Sequence, residues 1–258
     1  MKRTGQIWTL RPSDILVPTG TFTDSSTRSK STFLEIKERA DAIEDLYAHA
    51  DVRLPPDSSL GGMIENAKKL WKSWFLDNTK GQTYEMLFMA MHLDRIAEAI
   101  LPLKGEEEQT QYLRDLLSGT LDFFERKASH AKDMFWELEV WSRLRKNIEQ
   151  VFLREPPDVV VNFSDSHIGI SCKKIYSERH VQNVLSKAVN QIEKEYEFGI
   201  VAVNVDDLLP PNATLNLNSS QAVAERLNQH NQEFLQKHDR HFRKYLGGGR
   251  LISAIISS

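Results

Sequence analysis

Residues 157–175 read PDVVVNFSDSHIGISCKKI, and this stretch decides the fold of the second half of the chain. It contains two runs typical of strands, Asp158 to Phe163 and His167 to Ile175, joined by turn residues at 164–166. A third such run, Gln150 to Arg154, comes shortly before them. The connections are too short for a crossover, so the three predicted strands pair as an antiparallel meander.

Helical patterns surround this meander and predict an α/β (α+β) fold. We expect an irregular arm at 1–32, which is rich in Thr, Ser and Pro, an all-α helical domain at 33–128, and a domain at 129–258 with the order α-β-β-β-α-β plus a C-terminal helix and strand. The predicted helices span Phe33 to Ala50, Ser58 to Phe75, Thr83 to Lys104, Glu106 to Lys127, about 130 to 147, Glu178 to Glu197 and Ser219 to Tyr245, and the last two strands span Gly199 to Val205 and Leu251 to Ser257.

Composition excludes several classes of protein. The chain has 258 residues, a formal net charge of -3 and one cysteine. One cysteine cannot form a disulfide framework or a Cys-rich zinc site, so a metal would bind carboxylates or imidazoles. No apolar segment is long enough to span a membrane and no signal peptide is recognisable, so we expect a cytoplasmic protein in a reducing compartment.

Glu137 lies in the predicted helix before the meander, on its apolar face. Met134, Leu138 and Trp141 form a stripe at helical spacing that includes Glu137, whereas Glu139 falls outside it and is expected to be solvated. An unpaired buried carboxylate is costly, so Glu137 either binds a cation or reaches out of the stripe to solvent or to one arginine. The spacing alone leaves both open.

The predicted hairpin brings further polar groups together. Side chains alternate along 167–175, so Cys172 points to one face, as a core residue, while Ser171 and Lys173 point to the other. Asp158 opens the preceding strand and lies close to the end of the next one once the chain folds back. By itself Asp158 reads as a turn residue. Together, Glu137, Asp158 and Lys173 can converge on one point.

These residues resemble the PD-(D/E)XK nuclease superfamily, which has the restriction-endonuclease-like fold. The resemblance rests on Pro157-Asp158, on Ser171-Cys172-Lys173 after 12 intervening residues, on Glu137 in the preceding helix and on Gln191 in the following one. The α-β-β-β-α-β order is the core of that superfamily, and the resemblance covers about residues 130–205. Order, spacing and context carry it, because each motif is short.

The resemblance implies a Mg²⁺-dependent (or Mn²⁺-dependent) nuclease. Asp158, Glu137 and the backbone carbonyl of Cys172 would hold one or two ions beside the scissile phosphate. Lys173 would neutralise charge developing on the phosphate and orient or deprotonate the attacking water. Gln191 would position water or phosphate, although an ordinary boundary glutamine fits its place equally well.

Ser171 departs from the pattern, because members of the superfamily carry Asp, Glu or less often Gln there. A hydroxyl is a poorer ligand than a carboxylate for a hard cation. Some members relocate the acidic residue to a nearby helix, and Glu137 or Glu178 could take that part. Alternatively the site is inactive, and the domain is a degraded nuclease fold that binds nucleic acid or a protein.

Nucleic acid, DNA more than RNA, is the partner that the resemblance implies. A phage-defence or other bacterial effector of this kind would work with a protein partner, for example a helicase or an ATPase subunit, bound to the helical region. A scaffold that only assembles a complex is a further alternative. A local basic surface would contact phosphates, although a solvated helix face explains it as well, and its expected residues are Lys174, Lys237, Arg240, Arg243 and Lys244.

Overall fold

A computed structural model of the chain describes residues 4–10, 15–21, 32–76, 83–163, 166–209, 220–247 and 251–258. The chain divides into two compact units, one formed by Met1–Arg28 with Ile148–Ser258 and the other by Ser29–Asn147. The mixed α/β class is confirmed, with a helical N-terminal region and a mixed sheet. The predicted boundary at residue 129 is corrected, because the helix that follows it packs against other helices of the Ser29–Asn147 unit.

The helical unit owes its first helices to good N-terminal caps. Thr32 and Glu35 form a reciprocal capping box, and the hydroxyls of Ser58 and Thr83 each accept a backbone N–H of the first turn. Apolar side chains at helical spacing fill the core of this unit. Its helices are α1 (Phe33–His49), α2 (Ser59–Phe75), α3 (Tyr84–Ile100), α4 (Gln109–Asp115) and α5 (His130–Arg145).

The predicted helix from Glu106 to Lys127 is too long and is corrected to α4 alone. Gly119 has φ 116°, a conformation that is incompatible with a continuing right-handed helix. A Cβ at this position would lie 2.6 Å from Oγ of Ser129, so only glycine fits the turn. The apolar residues beyond Gly119 give a helix-like pattern although their backbone is irregular.

The N-terminal arm also differs from its prediction. Strands β1 (Thr4–Leu10) and β2 (Ile15–Thr21) pair antiparallel, with Thr4 opposite Thr21. Both contain residues of high β propensity such as Ile, Val, Thr and Trp, and this local preference outweighs the low overall hydrophobicity of the arm. The rest of the predicted arm, apart from Thr32, lies outside the described residues.

The sheet of the other unit has the order β3-β4-β5-β6-β7. The antiparallel meander is confirmed, because β3 pairs antiparallel with β4 and β4 with β5. The pairs β5-β6 and β6-β7 are parallel. The strands are β3 (Val151–Arg154), β4 (Asp158–Phe163), β5 (Ser166–Lys174), β6 (Phe198–Asn204) and β7 (Leu251–Ser257).

Two helices, α6 (Val181–Glu195) and α7 (Ser220–Leu246), pack on this sheet and share its core. The elements from α5 to β6 therefore follow in the predicted order. Glycine allows close packing of α6, because a Cβ at Gly199 would lie 2.3 Å from Cγ2 of Ile192. Among the described helices, none is long and apolar enough to cross a membrane.

Candidate functional site

Asp158, Ser171 and Lys173 share one face of the sheet. Val159 pairs with Ile170, so Asp158 lies opposite Ser171 just beyond the paired residues, and Lys173 is two positions further along the same face. Asp158 has φ 142°, which a non-glycine residue adopts rarely and at a cost of about 1–3 kcal/mol. Strained residues of this kind are concentrated at functional sites.

Oδ2 of Asp158 accepts three hydrogen bonds from β5. The Lys173 ammonium donates at 3.0 Å, the Ser171 hydroxyl lies at 3.2 Å, and the backbone N–H of Cys172 donates as well. The Asp158 side chain is 1% exposed and that of Lys173 is 21% exposed, so the carboxylate is buried while the lysine side chain is partly exposed. The predicted convergence of these two residues is therefore present.

The other carboxylate oxygen, Oδ1, is in a different situation. Among the described residues, no donor is found for Oδ1, and it is not one of the fully buried atoms that lack a partner. Asp158 is thus held firmly through Oδ2, while Oδ1 accepts no hydrogen bond from the described part of the chain, although the side chain is only 1% exposed. A carboxylate oxygen in this state can accept one further ligand bond.

Burial raises the pKa of Asp158 from 3.8 to about 6. The Lys173 ammonium and the Cys172 N–H favour the ionised carboxylate and limit this rise, whereas the charge of Glu155 adds to it. Glu155 is therefore an acidic neighbour that the sequence analysis missed. The available signal was its position three residues before Asp158 in the sequence EPPD.

Ser171 connects Asp158 to Gln191. Ser171 is 0% exposed, and its Oγ lies 3.0 Å from Oε1 of Gln191 on α6. The Ser171 hydroxyl has one proton and can donate to only one acceptor at a time. If the Gln191 side-chain amide is rotated by 180°, its NH₂ group donates to Ser171 Oγ, and the Ser171 hydroxyl is then able to donate to Asp158. Gln191 is thus bound to the site through a neutral chain of polar groups.

The other residues that were predicted as metal ligands lie on different elements of the structure. Glu137 is partly buried on α5, in the helical unit, so its meeting with Asp158 stays a prediction. Cys172 is 3% exposed and its side chain is a core residue, as expected, while the role of its carbonyl stays a prediction. Glu178, the other candidate for a relocated acidic residue, forms an ion pair with Lys237 of α7.

Lys174 is removed from the expected nucleic-acid contacts. Its side chain is 2% exposed, and its ammonium lies 2.8 Å from Oδ2 of Asp207 and 2.5 Å from Oδ1 of Asn204. Alternation along β5 places it on the face opposite to Lys173. A buried, paired ammonium cannot reach a phosphate at the surface, so Lys174 has a structural role.

The basic face of α7 is less basic than its sequence suggests. Lys237 is paired with Glu178, and Arg243 is paired with Asp239 at 2.6 Å. Burial lowers the pKa of His238, which is 8% exposed, so this imidazole is mainly neutral at pH 7. The four expected cations remain at the surface of the unit: Lys237, Arg240, Arg243 and Lys244.

Comparison with protein-family models, with curated proteins and with solved structures finds no match for this chain. The arrangement of Asp158, Ser171 and Lys173 therefore stands on its own geometry, and the function that it supports is a proposal.

Proposed function

We propose that this protein is a metal-dependent nuclease that hydrolyses phosphodiester bonds, with DNA preferred to RNA, and that its reaction centre is built on Asp158 and Lys173. The observation that carries the proposal is the pairing of a buried carboxylate with a lysine whose side chain is partly exposed, on one sheet face. The motif order, the spacing and the strand context that resemble the PD-(D/E)XK superfamily support it.

The contacts of Lys173 support a role in phosphate chemistry. Its ammonium is anchored by Asp158, and its side chain is 21% exposed. It can donate a second hydrogen bond to a non-bridging phosphate oxygen, whose charge grows as the water attacks. The hydrogen bonds from Ser171 and Cys172 hold the carboxylate in place, so the charge pair requires little reorganisation during the reaction.

The donor set fits a hard divalent cation such as Mg²⁺ or Mn²⁺, although it offers few charged ligands. Asp158 would bind through Oδ1, which accepts no hydrogen bond from the described residues. Glu155 adds negative charge nearby, and Glu137 and the Cys172 carbonyl are the further ligands that the resemblance implies. When bound, such an ion would lower the pKa of a coordinated water and neutralise phosphate charge. Occupancy would also hold Asp158 in its ionised form.

A substrate panel tests the proposal. The purified protein is incubated with supercoiled DNA, linear DNA, single-stranded DNA and RNA in Mg²⁺ or Mn²⁺, and products are resolved on gels. We expect cleavage by the wild type and its loss in Asp158→Ala. Glu193→Ala, which removes an exposed carboxylate of α6, is the matched control and should cleave normally. Cleavage that survives undiminished in Asp158→Ala contradicts the site.

Ser171 favours a second candidate function, a nuclease fold that binds nucleic acid without cleaving it. It places a neutral, fully buried hydroxyl where the superfamily has a carboxylate. Weak ion binding would leave Asp158 partly protonated near neutral pH. Calorimetric titration with Mn²⁺ separates the two candidates, because a nuclease binds the ion and loses that binding in Asp158→Ala and Glu137→Ala, whereas a binding module shows no heat of ion binding.

A further inference from the structure

A pocket of about 330 Å³ opens on the same sheet face as Asp158 and Lys173. This volume is at the small end of the range for ligand sites, which is about 300–1,000 Å³. The side chains that give it chemical character come from β3, β4, β5 and the end of α6, and they are Phe152, Arg154, Asn162, His167, Glu195 and Tyr196.

The pocket lies beside the proposed reaction centre in the register of the sheet. Arg154 pairs with Asp158 across β3 and β4, so these two side chains are direct neighbours on one face. His167 belongs to the same face of β5 as Ser171, and Asn162 pairs with it across β4 and β5. Residues two apart on a strand are separated by about 7 Å, so the pocket begins roughly one nucleotide away from the carboxylate.

Two aromatic rings form apolar walls. Phe152 lies on the edge strand β3 and is 41% exposed, so its ring is available to a ligand. Tyr196 follows α6 and lies over β5, where a Cβ at Gly169 would come within 2.9 Å of its ring. Glycine therefore makes room for the tyrosine ring, and the pocket combines a fixed ring with an accessible one.

The polar groups of the pocket suit a nucleotide. Arg154 carries a positive charge, and the His167 imidazole is oriented by a hydrogen bond of 2.6 Å between its Nδ1 and Oδ1 of Asn162. Glu195, which also lines the pocket, offers a carboxylate acceptor for an exocyclic amino group. A stacking surface beside a cation and an amide is the usual composition of single-strand binding sites.

We propose that this pocket binds one unpaired nucleobase of the strand whose phosphate lies at Asp158 and Lys173. The base stacks on Phe152, and Arg154 contacts the intervening phosphate. A base inside a duplex is covered by its neighbours and cannot enter, so the substrate is single-stranded at this position or has a base turned out of the helix. The inference rests on the proposed nuclease function, and it specifies the substrate class.

Binding without cleavage tests the inference. A fluorescein-labelled single strand of about twelve nucleotides, the same strand with abasic central positions, and a matched duplex are titrated in EDTA with fluorescence anisotropy as the readout. The variant is Phe152→Ala. The matched control is Phe198→Ala, because Phe198 is 37% exposed on β6 but lies outside the pocket and, by its register with Ile168, on the opposite sheet face.

We expect the wild type to bind the base-containing single strand more tightly than the abasic strand and the duplex. Phe152→Ala should lower that affinity about 5- to 30-fold, to the abasic level, because stacking on an aromatic ring is lost. Phe198→Ala should bind as the wild type does. Where Phe152→Ala fails to fold in a thermal melt, Phe152→Leu replaces it, because leucine keeps apolar volume and removes the ring.

The inference is overturned when the wild type binds no single strand, when it binds base-containing and abasic strands equally, or when Phe152→Ala and Phe198→Ala reduce affinity equally. These outcomes are separate from the fate of the nuclease proposal, since they are measured without a metal ion. If the wild type shows the Phe152-dependent preference but no cleavage in Mg²⁺ or Mn²⁺, the nucleobase pocket is supported and the nuclease proposal is contradicted. If the wild type cleaves but shows no such preference, the nuclease proposal is supported and the nucleobase pocket is contradicted.

Discussion

The Lys173 ammonium lies 3.0 Å from Oδ2 of Asp158, across two adjacent antiparallel strands and 15 residues along the chain. The same oxygen accepts from the Cys172 N–H, so main chain and side chains of β5 fix one carboxylate together. Removing one partner would leave the other charge unpaired in a largely buried place, so we expect either change to destabilise the fold. Because these donors bind the ionised carboxylate, the site is also sensitive to protonation of Asp158.

The pKa of Asp158 predicts a specific pH dependence of stability. Because the folded-state pKa is about 6 and the ordinary value is 3.8, the folded chain retains a proton between these pH values that the unfolded chain has lost. This group therefore reduces the free energy of unfolding as pH rises from about 4 to about 6, by about 3 kcal/mol. Asp158→Asn cannot ionise and should gain stability relative to wild type over this interval.

Urea unfolding in metal-free buffer at pH about 4 and about 7 measures this difference. We expect the free energy of unfolding of Asp158→Asn to increase relative to that of the wild type as the pH rises. A difference that stays constant across the interval would mean that Asp158 titrates at its ordinary pKa in the folded chain.

Ser171→Asp tests whether a cation can bind at this site. A second carboxylate beside Asp158 introduces like-charge repulsion in a buried place, so the variant should melt at a lower temperature than the wild type in EDTA. Saturating Mn²⁺ should then raise its melting temperature by about 5 °C or more beyond any shift of the wild type, because the ion binds only the folded state. Equal shifts in both proteins would argue against an ion site.

Glu139 is predicted to be one of the most costly residues to remove in the helical unit. It is 2% exposed, forms two bonds of 2.6 Å to the guanidinium of Arg95 and a third of 2.7 Å to Arg143. Glu139→Ala removes these charge-assisted bonds but leaves Arg95 with a side chain that is 32% exposed, so it should lower the free energy of unfolding by about 2–3 kcal/mol.

The control for this experiment is Asp41→Ala, which removes a partly exposed helix pair with Lys37 and should cost less than about 1 kcal/mol. Both values come from urea titration curves. A cost for Glu139→Ala no larger than that for Asp41→Ala would show that the buried ion pair adds nothing to stability.

Gly169→Ala is predicted to disturb the wall of the pocket. The new Cβ would meet the Tyr196 ring at 2.9 Å and Cγ of Pro157 at 3.0 Å, so the ring must move, at a cost of about 1–3 kcal/mol. Gly62→Ala is the matched control, because nothing lies within 4 Å of its Cβ and alanine favours its helix; it should stabilise by about 0.5–1 kcal/mol. Similar losses in both variants would contradict this account.

The meander and the Asp158–Lys173 pair could be predicted because their determinants are local. Short turns between β-branched runs leave antiparallel pairing as the available connection, and the alternation of side chains then sets the face of each residue. The inward placement of Cys172 follows in the same way. No long-range information was required for these features.

Other features depend on residues distant in the sequence. Glu139 was expected to be solvated because it lies outside the apolar stripe of α5, yet Arg95, 44 residues earlier, receives it inside the unit. Lys174 was expected at the surface, and its partner Asn204 lies 30 residues later on β6. Buried charges of this kind are paired, but helix and strand periodicity contain no information about the partner.

A single-turnover cleavage rate for Lys173→Ala tests the central claim most directly. The substrate is a labelled single-stranded DNA in Mg²⁺ or Mn²⁺, and the matched control is Lys187→Ala, which removes an exposed ammonium of α6. The account predicts that Lys173→Ala lowers the rate about 100-fold or more while Lys187→Ala cleaves like the wild type. Equal rates for the two variants would contradict the assignment of Asp158 and Lys173 as the reaction centre.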